Sequence, residues 1–158
     1  MTPPPELDKT PPEFDKSGFS TSPGATRIEK PWGYELLLTP KESPYAAKLI
    51  HVTAGHRLSL QIHDEKVETQ TLIDGKGYLV LEDDQGELHN VQLEPGVGYH
   101  IKIGQKHRLC ADPDQDVTVY EASTPEIGIT WRLEDDHNRG HQTTEVRDAE
   151  NQANARPV

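Results

Sequence analysis

The sequence is short of cysteine, of positive charge and of long apolar runs, and each shortage removes a class of protein. Cys110 is the single cysteine in 158 residues, so no intrachain disulfide can form and a reducing compartment, the cytoplasm, is expected. No stretch approaches the roughly 20 apolar residues that cross a bilayer, and the N-terminus has no apolar segment of the signal-peptide kind. A soluble protein with no membrane partner is expected. Lys and Arg number 16 against 27 Asp and Glu, for a formal charge of −11. The cations are scattered singly, which argues against a nucleic-acid partner. A basic pocket for one small anion needs only a few converging side chains and stays open.

What is present fits one domain with polar ends. Hydrophobic residues make up 32% and charged residues 27% of the chain, a lean mixture for a globular core. Six of the 13 prolines fall in the first 23 residues, among Glu, Asp, Lys and Ser. Such a segment cannot bury enough apolar surface to offset the entropy of ordering it. The expected organisation is a Pro-rich flexible arm over 1–27, a folded body over 28–139 and a polar tail over 140–158.

Short β-branched or aromatic runs fill the body, separated by turn signals at Asp74-Gly75, Gln85-Gly86, Pro95-Gly96 and Asp112-Pro113-Asp114. They predict strands near Tyr34–Leu38, Ala46–Val52, Arg57–His63, Glu68–Ile73, Gly77–Glu82, Leu88–Leu93, Gly98–Ile103, Val117–Ala122 and Ile129–Leu133. Within the body no apolar repeat at helical spacing and no internal sequence repeat is found, which disfavours α/β, propeller and solenoid folds. An all-β sandwich or jelly-roll barrel remains.

One strand carries an unusual polar face. Alternation in Arg57-Leu58-Ser59-Leu60-Gln61-Ile62-His63 sends Leu58, Leu60 and Ile62 one way and Arg57, Ser59, Gln61 and His63 the other. A solvated face would alternate too, but more often with Lys, Glu and Thr than with Gln-x-His. Glu68 follows five residues after His63, and Gly104-Gln105-Lys106-His107 follows a later apolar strand.

The spacing Gly55, Gln61, His63, Glu68, Gly75 resembles the first signature of the cupin superfamily, and Gly96 through His107 resembles the second. The resemblance implies a single cupin jelly-roll β-barrel holding one divalent metal ion (Zn, Mn, Fe, Co or Ni) with Gln61, His63, Glu68 and His107. Gln61 stands where many cupins have His; its amide oxygen is a neutral donor able to coordinate a divalent ion. The alternative is a barrel that has lost its metal and keeps His63 and His107 as buried hydrogen-bonding groups.

Pro31-Trp32-Gly33-Tyr34, the Arg57–His63 run, Gly104-x-Lys106-His107-Arg108-Leu109 and the run from Arg132 to Arg139 extend the resemblance. Over about Lys30 to Arg139 they resemble the cupin domain of type II phosphomannose isomerases, here as a free-standing version without the guanylyltransferase domain that precedes it there. Departures follow Gln61-x-His63: Lys66 replaces the family's Arg and loses its planar fork, and Thr69-Gln70 replaces its His-Trp pair. Lys102-Ile103 stands where Pro-Ala is usual.

The resemblance implies an isomerase-like, metal-dependent enzyme acting on an anionic or polyhydroxylated small molecule such as a sugar phosphate, and a homodimer paired through edge strands. Lys66 is the candidate catalytic residue; to act as a base near neutral pH it needs a lowered pKa. Arg57 and Arg132 are the candidate substrate-binding cations, with structural ion pairs as the alternative role. Two further readings stay open: an iron-dependent oxygenase or lyase with a two-His, one-carboxylate centre, and a non-catalytic sugar- or metabolite-binding protein. His51, His56, His89, His100, His137 and His141 lack ligand spacing, with His100 placed nearest the second signature. Trp32 and Trp131 are expected in the core or an interface, and Asp135-Asp136 as a solvated or capping pair.

Overall fold

The computed structural model describes residues 10–158; the first nine residues of the expected arm lie outside the described residues. Residues 10–24 are exposed and form no strand, with Phe14 and Phe19 open to solvent. Strands β1 (Thr26–Lys30), β2 (Gly33–Leu37), β3 (Ala46–Val52), β4 (Leu60–His63), β5 (Glu68–Gly75) and β6 (Gly77–Glu82) follow. Then come β7 (Leu88–Gln92), β8 (Tyr99–Ile101), β9 (His107–Ala111), β10 (Val117–Ser123), β11 (Thr130–Glu134), helix α1 (Thr144–Asn154) and β12 (Ala155–Arg156). No helix among the described residues is long and apolar enough to cross a membrane.

The strands form two antiparallel sheets, one ordered β12-β1-β2-β3-β10-β5-β8 and the other β11-β4-β9-β6-β7. Period-2 alternation explains how they close. Ile50 and Val52 of β3 and Val117 and Val119 of β10 share one core with Leu79 of β6 and Leu109 and Ala111 of β9, so the two sheets pack face to face. Burying each such Val, Ile or Leu contributes about 1.5–3 kcal/mol. At the β5–β6 turn Gly75 has φ +81°, and a Cβ there would run into the Asp116 carbonyl; glycine is what lets the two sheets meet at that corner.

All nine expected strands have counterparts; β1, β9 and β12 lie outside the expected set, β1 begins within the expected arm at Thr26, and further features differ. The strand expected from Arg57 begins only at Leu60. Arg57 makes an isolated bridge to Cys110, the alternation loses phase there, and the Arg57 side chain turns outward. Strand β9 was not expected, because His-Arg-Leu-Cys-Ala is buried at every position and shows no alternation. The expected polar tail contains α1, capped by Thr143, whose hydroxyl accepts from the Val146 N–H. The buried residue of α1 is Arg147, so an ion pair and not an apolar stripe fixes the helix. Trp32 is buried in the core, whereas Trp131 lies at the surface, donating from Nε1 to Asp64 and packing on His141.

Candidate metal centre

Neighbouring strands bring the four expected ligands together. Gln61 and His63 lie two residues apart on β4, and Gln61 pairs in register with His107 of β9. Glu68 opens β5 in the facing sheet. His63, Glu68 and His107 are each at most 4% exposed, and one donor atom from each lies within 4.8 Å of the others. His63 Nε2 is 3.4 Å from Glu68 Oε2, and His107 Nε2 is 3.3 Å from Glu68 Oε1.

A hydrogen bond on the far side of the His107 ring sets its tautomer, and the far side of the His63 ring is braced by a hydroxyl that serves either way. His107 Nδ1 donates to the Gln105 carbonyl at 2.9 Å, and His63 Nδ1 sits 3.0 Å from the Thr130 hydroxyl. A proton on each Nδ1 leaves an Nε2 lone pair facing the carboxylate. Burial lowers the His63 pKa against the pull of Glu68, which favours the neutral, ligating form. In that tautomer the two Nε2 lone pairs and the carboxylate converge on one point, whereas with the proton on Nε2 each ring donates to Glu68. Glu68 Oε2 makes no hydrogen bond among the described residues, although the Lys66 ammonium lies 2.9 Å away, off the line of one. A carboxylate beside two imidazoles is a donor set that fits a divalent cation.

Gln61 completes the set after one rotation. Its Nε2 lies 3.5 Å from His63 Nε2 and 3.4 Å from His107 Nε2, while its Oε1 accepts from the Ser59 hydroxyl at 2.7 Å. Turning the amide by 180° would present Oε1 to the centre, and Ser59 would accept from Nε2 instead, since a hydroxyl serves either way.

A charged network surrounds the centre. Lys66 Nζ bonds Glu121 at 2.8 Å and Glu126 at 3.1 Å, and Lys48 Nζ bonds Glu126 at 2.7 Å. Burial by itself would depress the Lys66 pKa, but Glu121, Glu126 and Glu68 outweigh it and hold it well above the ordinary lysine value. A base at Lys66 would need a lowered pKa, and the shift here is in the opposite direction, that of a paired cation. Burial also pushes up the carboxyl of Glu121, helped by the charge of Glu68 and opposed by Lys66. Burial would raise Glu68 too, but Lys66 and the two imidazoles bring it well below the usual carboxylate range.

The two expected anion-binding arginines part company. Arg57 is a surface residue, 45% exposed along its side chain and bonded to Asp136 at 2.9 Å, and it is absent from the cavity wall. Arg132 pairs in register with Gln61 and lines the cavity. It donates to the Gly140 carbonyl at 2.8 Å, but its carboxylate neighbour, Glu150, is 3.6 Å away. Burial lowers its pKa, with the nearby charge of Arg139 adding to the effect. His100 points to Thr69 at the surface and takes no part, and Asp135 and Asp136 turn apart to Arg139 and Arg57.

Residues not singled out from sequence include Thr130 and Glu121. The signal for Glu121 was available: in Val117-Thr118-Val119-Tyr120-Glu121 it continues the buried valine face, where a carboxylate is out of place unless it has a partner. The cavity these side chains enclose has a volume of about 60 Å³.

Comparison of the sequence with protein-family models and with curated proteins finds no match. The fold has solved relatives. The capsular polysaccharide assembling protein CapF from Staphylococcus aureus superposes with a TM-score of 0.58 at 12% identity, over 76% of this chain and 34% of CapF. Oxalate decarboxylase gives 0.58 at 18% identity, over 68% of this chain and 30% of that one. Procruciferin, an 11S globulin from Brassica napus, gives 0.56 at 18%, over 67% and 29%. This chain spans about a third of the length of each. With its two antiparallel sheets, the protein has the cupin jelly-roll fold.

Proposed function

We propose that this protein is a metal-dependent cupin enzyme of the isomerase-like kind, acting on a small anionic, polyhydroxylated substrate such as a sugar phosphate. The observation that carries the reading is the convergence of His63, Glu68, His107 and the Gln61 amide beside Arg132 in one buried cavity. When bound, a divalent ion would supply Lewis-acid polarisation of a carbonyl or hydroxyl oxygen.

The chain's own residues do the rest. Arg132, half-buried with its side chain only 5% exposed and loosely paired to Glu150, offers a guanidinium to an anionic group one strand away from Gln61. Lys66 holds Glu68 in place and keeps its charge from building up in a dry site. Glu121 lines the same cavity, where it accepts from Lys66 at 2.8 Å and from Gln70 at 3.1 Å and so ties the wall to the centre. The resemblance of Arg57–His63 and Arg132–Arg139 to type II phosphomannose isomerases supports a phosphorylated sugar as the substrate.

A second reading rests on the cavity's size. At about 60 Å³ it has room for a few waters or for the reacting end of a molecule, not for a whole hexose. A small carboxylic acid would enter completely, and lyase or oxygenase chemistry on such an acid is the alternative. The deciding experiment is to purify the protein with its native metal, measure the metal content, and assay interconversion of mannose 6-phosphate and fructose 6-phosphate beside oxygen uptake and carbon dioxide release from two- to four-carbon acids. Isomerisation that chelation abolishes and metal restores supports the first reading. A fully loaded site that leaves the sugar phosphates unchanged but consumes a small acid replaces it with the second. Specific binding without turnover of either class supports a binding protein instead.

A further inference from the structure

Glu126 differs from the other carboxylates around the metal cavity in what carries it. Glu35, Glu68 and Glu121 stand on β2, β5 and β10, at fixed places in the sheets, whereas Glu126 belongs to the β10–β11 loop and reaches in from outside. Its side chain is 27% exposed, against 12% for Glu35, 3% for Glu121 and 2% for Glu68.

By this reach Glu126 covers two buried ammonium groups of the cavity wall, Lys48 Nζ at 2.7 Å and Lys66 Nζ at 3.1 Å. Lys66 keeps a further hydrogen bond to Glu121 at 2.8 Å. Lys48 Nζ has no other among the described residues, since Glu35 and Glu121 stay 3.6 and 3.8 Å from it. The loop therefore sets a tethered carboxylate where a free oxyanion would meet Lys48.

Glu126 is also the partition between two spaces. It lines the metal cavity and, on its other side, a cavity of about 590 Å³ between β3, the β10–β11 loop and α1. Arg147 waits on that second side. Its NH1 already holds the Glu126 carbonyl at 2.8 Å, while its Nε, 3.6 Å from Glu126 Oε2, has no hydrogen-bond partner among the described residues. A carboxylate that leaves Lys48 for Arg147 completes that bond, so the move exchanges one buried contact for another.

We propose that Lys48, with Lys66 beside it, is an oxyanion-binding position of the metal cavity, additional to Arg132, and that Glu126 is an internal stand-in which the substrate's oxyanion displaces toward Arg147. This rests on the proposed reading only for the anionic character of the substrate, not for the reaction. Exchanging one oxyanion for another strands no charge at Lys48. The tether makes the two compete, so the apparent affinity for a free anion is reduced by the fraction of molecules in which Glu126 is displaced. Removing the carboxylate therefore strengthens anion binding, which loss of a purely structural side chain would not do.

The test titrates inorganic phosphate and acetate into the metal-free full chain at constant ionic strength, by calorimetry and by the shift of the urea midpoint. Without metal, no anion is held by an ion. Glu126→Ala should bind the better of the two anions about tenfold more tightly than the parent, and that anion should raise its urea midpoint more than the parent's. Glu126→Gln, which keeps the shape of the side chain, should move in the same direction. Adding Lys48→Met to Glu126→Ala should remove the gain. Equal or weaker anion binding in both Glu126 variants, or a gain that survives Lys48→Met, would overturn the proposal. Tighter binding in the variants, with sugar phosphates left unconverted by the metal-loaded parent, upholds the oxyanion position and removes the isomerase reading. Anion binding by the parent with no gain in either variant removes the role of Glu126 and leaves the anionic substrate standing.

Discussion

The hydroxyl of Thr130 lies 3.0 Å from Nδ1 of His63, its cross-strand neighbour, on the ring edge opposite the Nε2 that faces Glu68. Thr130→Val keeps the shape and removes the acceptor. Partners of this kind are worth about 10–100-fold in metal affinity, so the variant should lose affinity in that range in a chelator-competition titration. Thr130→Ser, which retains a hydroxyl, should lose much less. Equal affinity for Thr130→Val and the parent would mean that the ring is oriented by packing alone.

Gln61 is the weak member of the donor set, since its amide is less basic than imidazole and its oxygen is shared with Ser59. Gln61→His should raise the affinity for zinc by about tenfold or more, while Gln61→Leu should lower it and leave the three-residue cluster of His63, Glu68 and His107 able to bind. Calorimetric titration of the metal-free protein distinguishes the two. If both substitutions leave zinc affinity unaltered, Gln61 does not reach the ion.

The sequence makes β4, β5 and the ligand spacing readable because alternation and turn residues are local signals. Cross-strand partnership is not local, so nothing in the string says that Gln61 lies opposite His107 or that Thr130 backs His63. Strand β9 escapes because it is buried on both sides and therefore lacks polar alternation. Arg57 misleads in the opposite way: its place in the alternating run is real in the sequence, but the strand starts three residues later and frees it to meet Asp136. Helix α1 has its N-cap at Thr143 and an acidic first turn, yet the residue it buries is an arginine, which no search for apolar periodicity finds.

Lys66 offsets three carboxylates, those of Glu68, Glu121 and Glu126, while being 3% exposed. Removing it strands buried negative charge, which typically costs about 3–5 kcal/mol. Lys66→Met should therefore destabilise the metal-free protein by an amount of that order in urea unfolding, before any question of turnover arises. A parent-like urea midpoint together with lost activity would return Lys66 to a catalytic role.

The same network fixes the response to pH. Burial would raise the carboxyls of Glu35 and Glu126, but Lys48 outweighs it, with Lys30 adding at Glu35 and Lys66 at Glu126, and both end below their ordinary values. Carboxylates depressed in the folded state contribute stability that is present above the unfolded pKa, about 4.3, and lost as pH falls below it. Glu121 works the other way, since its pKa is raised, and it offsets part of the loss. Lys48 is raised in turn despite its burial, chiefly by Glu126 and Glu35, so its contribution is present below about 10.4 and fades as pH rises beyond that. The urea midpoint of the metal-free protein should therefore fall as pH drops from about 5 to 3 and again above about 10.4. Glu126→Gln should flatten the acid limb, because one of the depressed carboxylates is gone, and should lower the plateau because Lys48 and Lys66 each lose a partner. An acid limb as steep in Glu126→Gln as in the parent would show that Glu126 is not ionised in the folded protein.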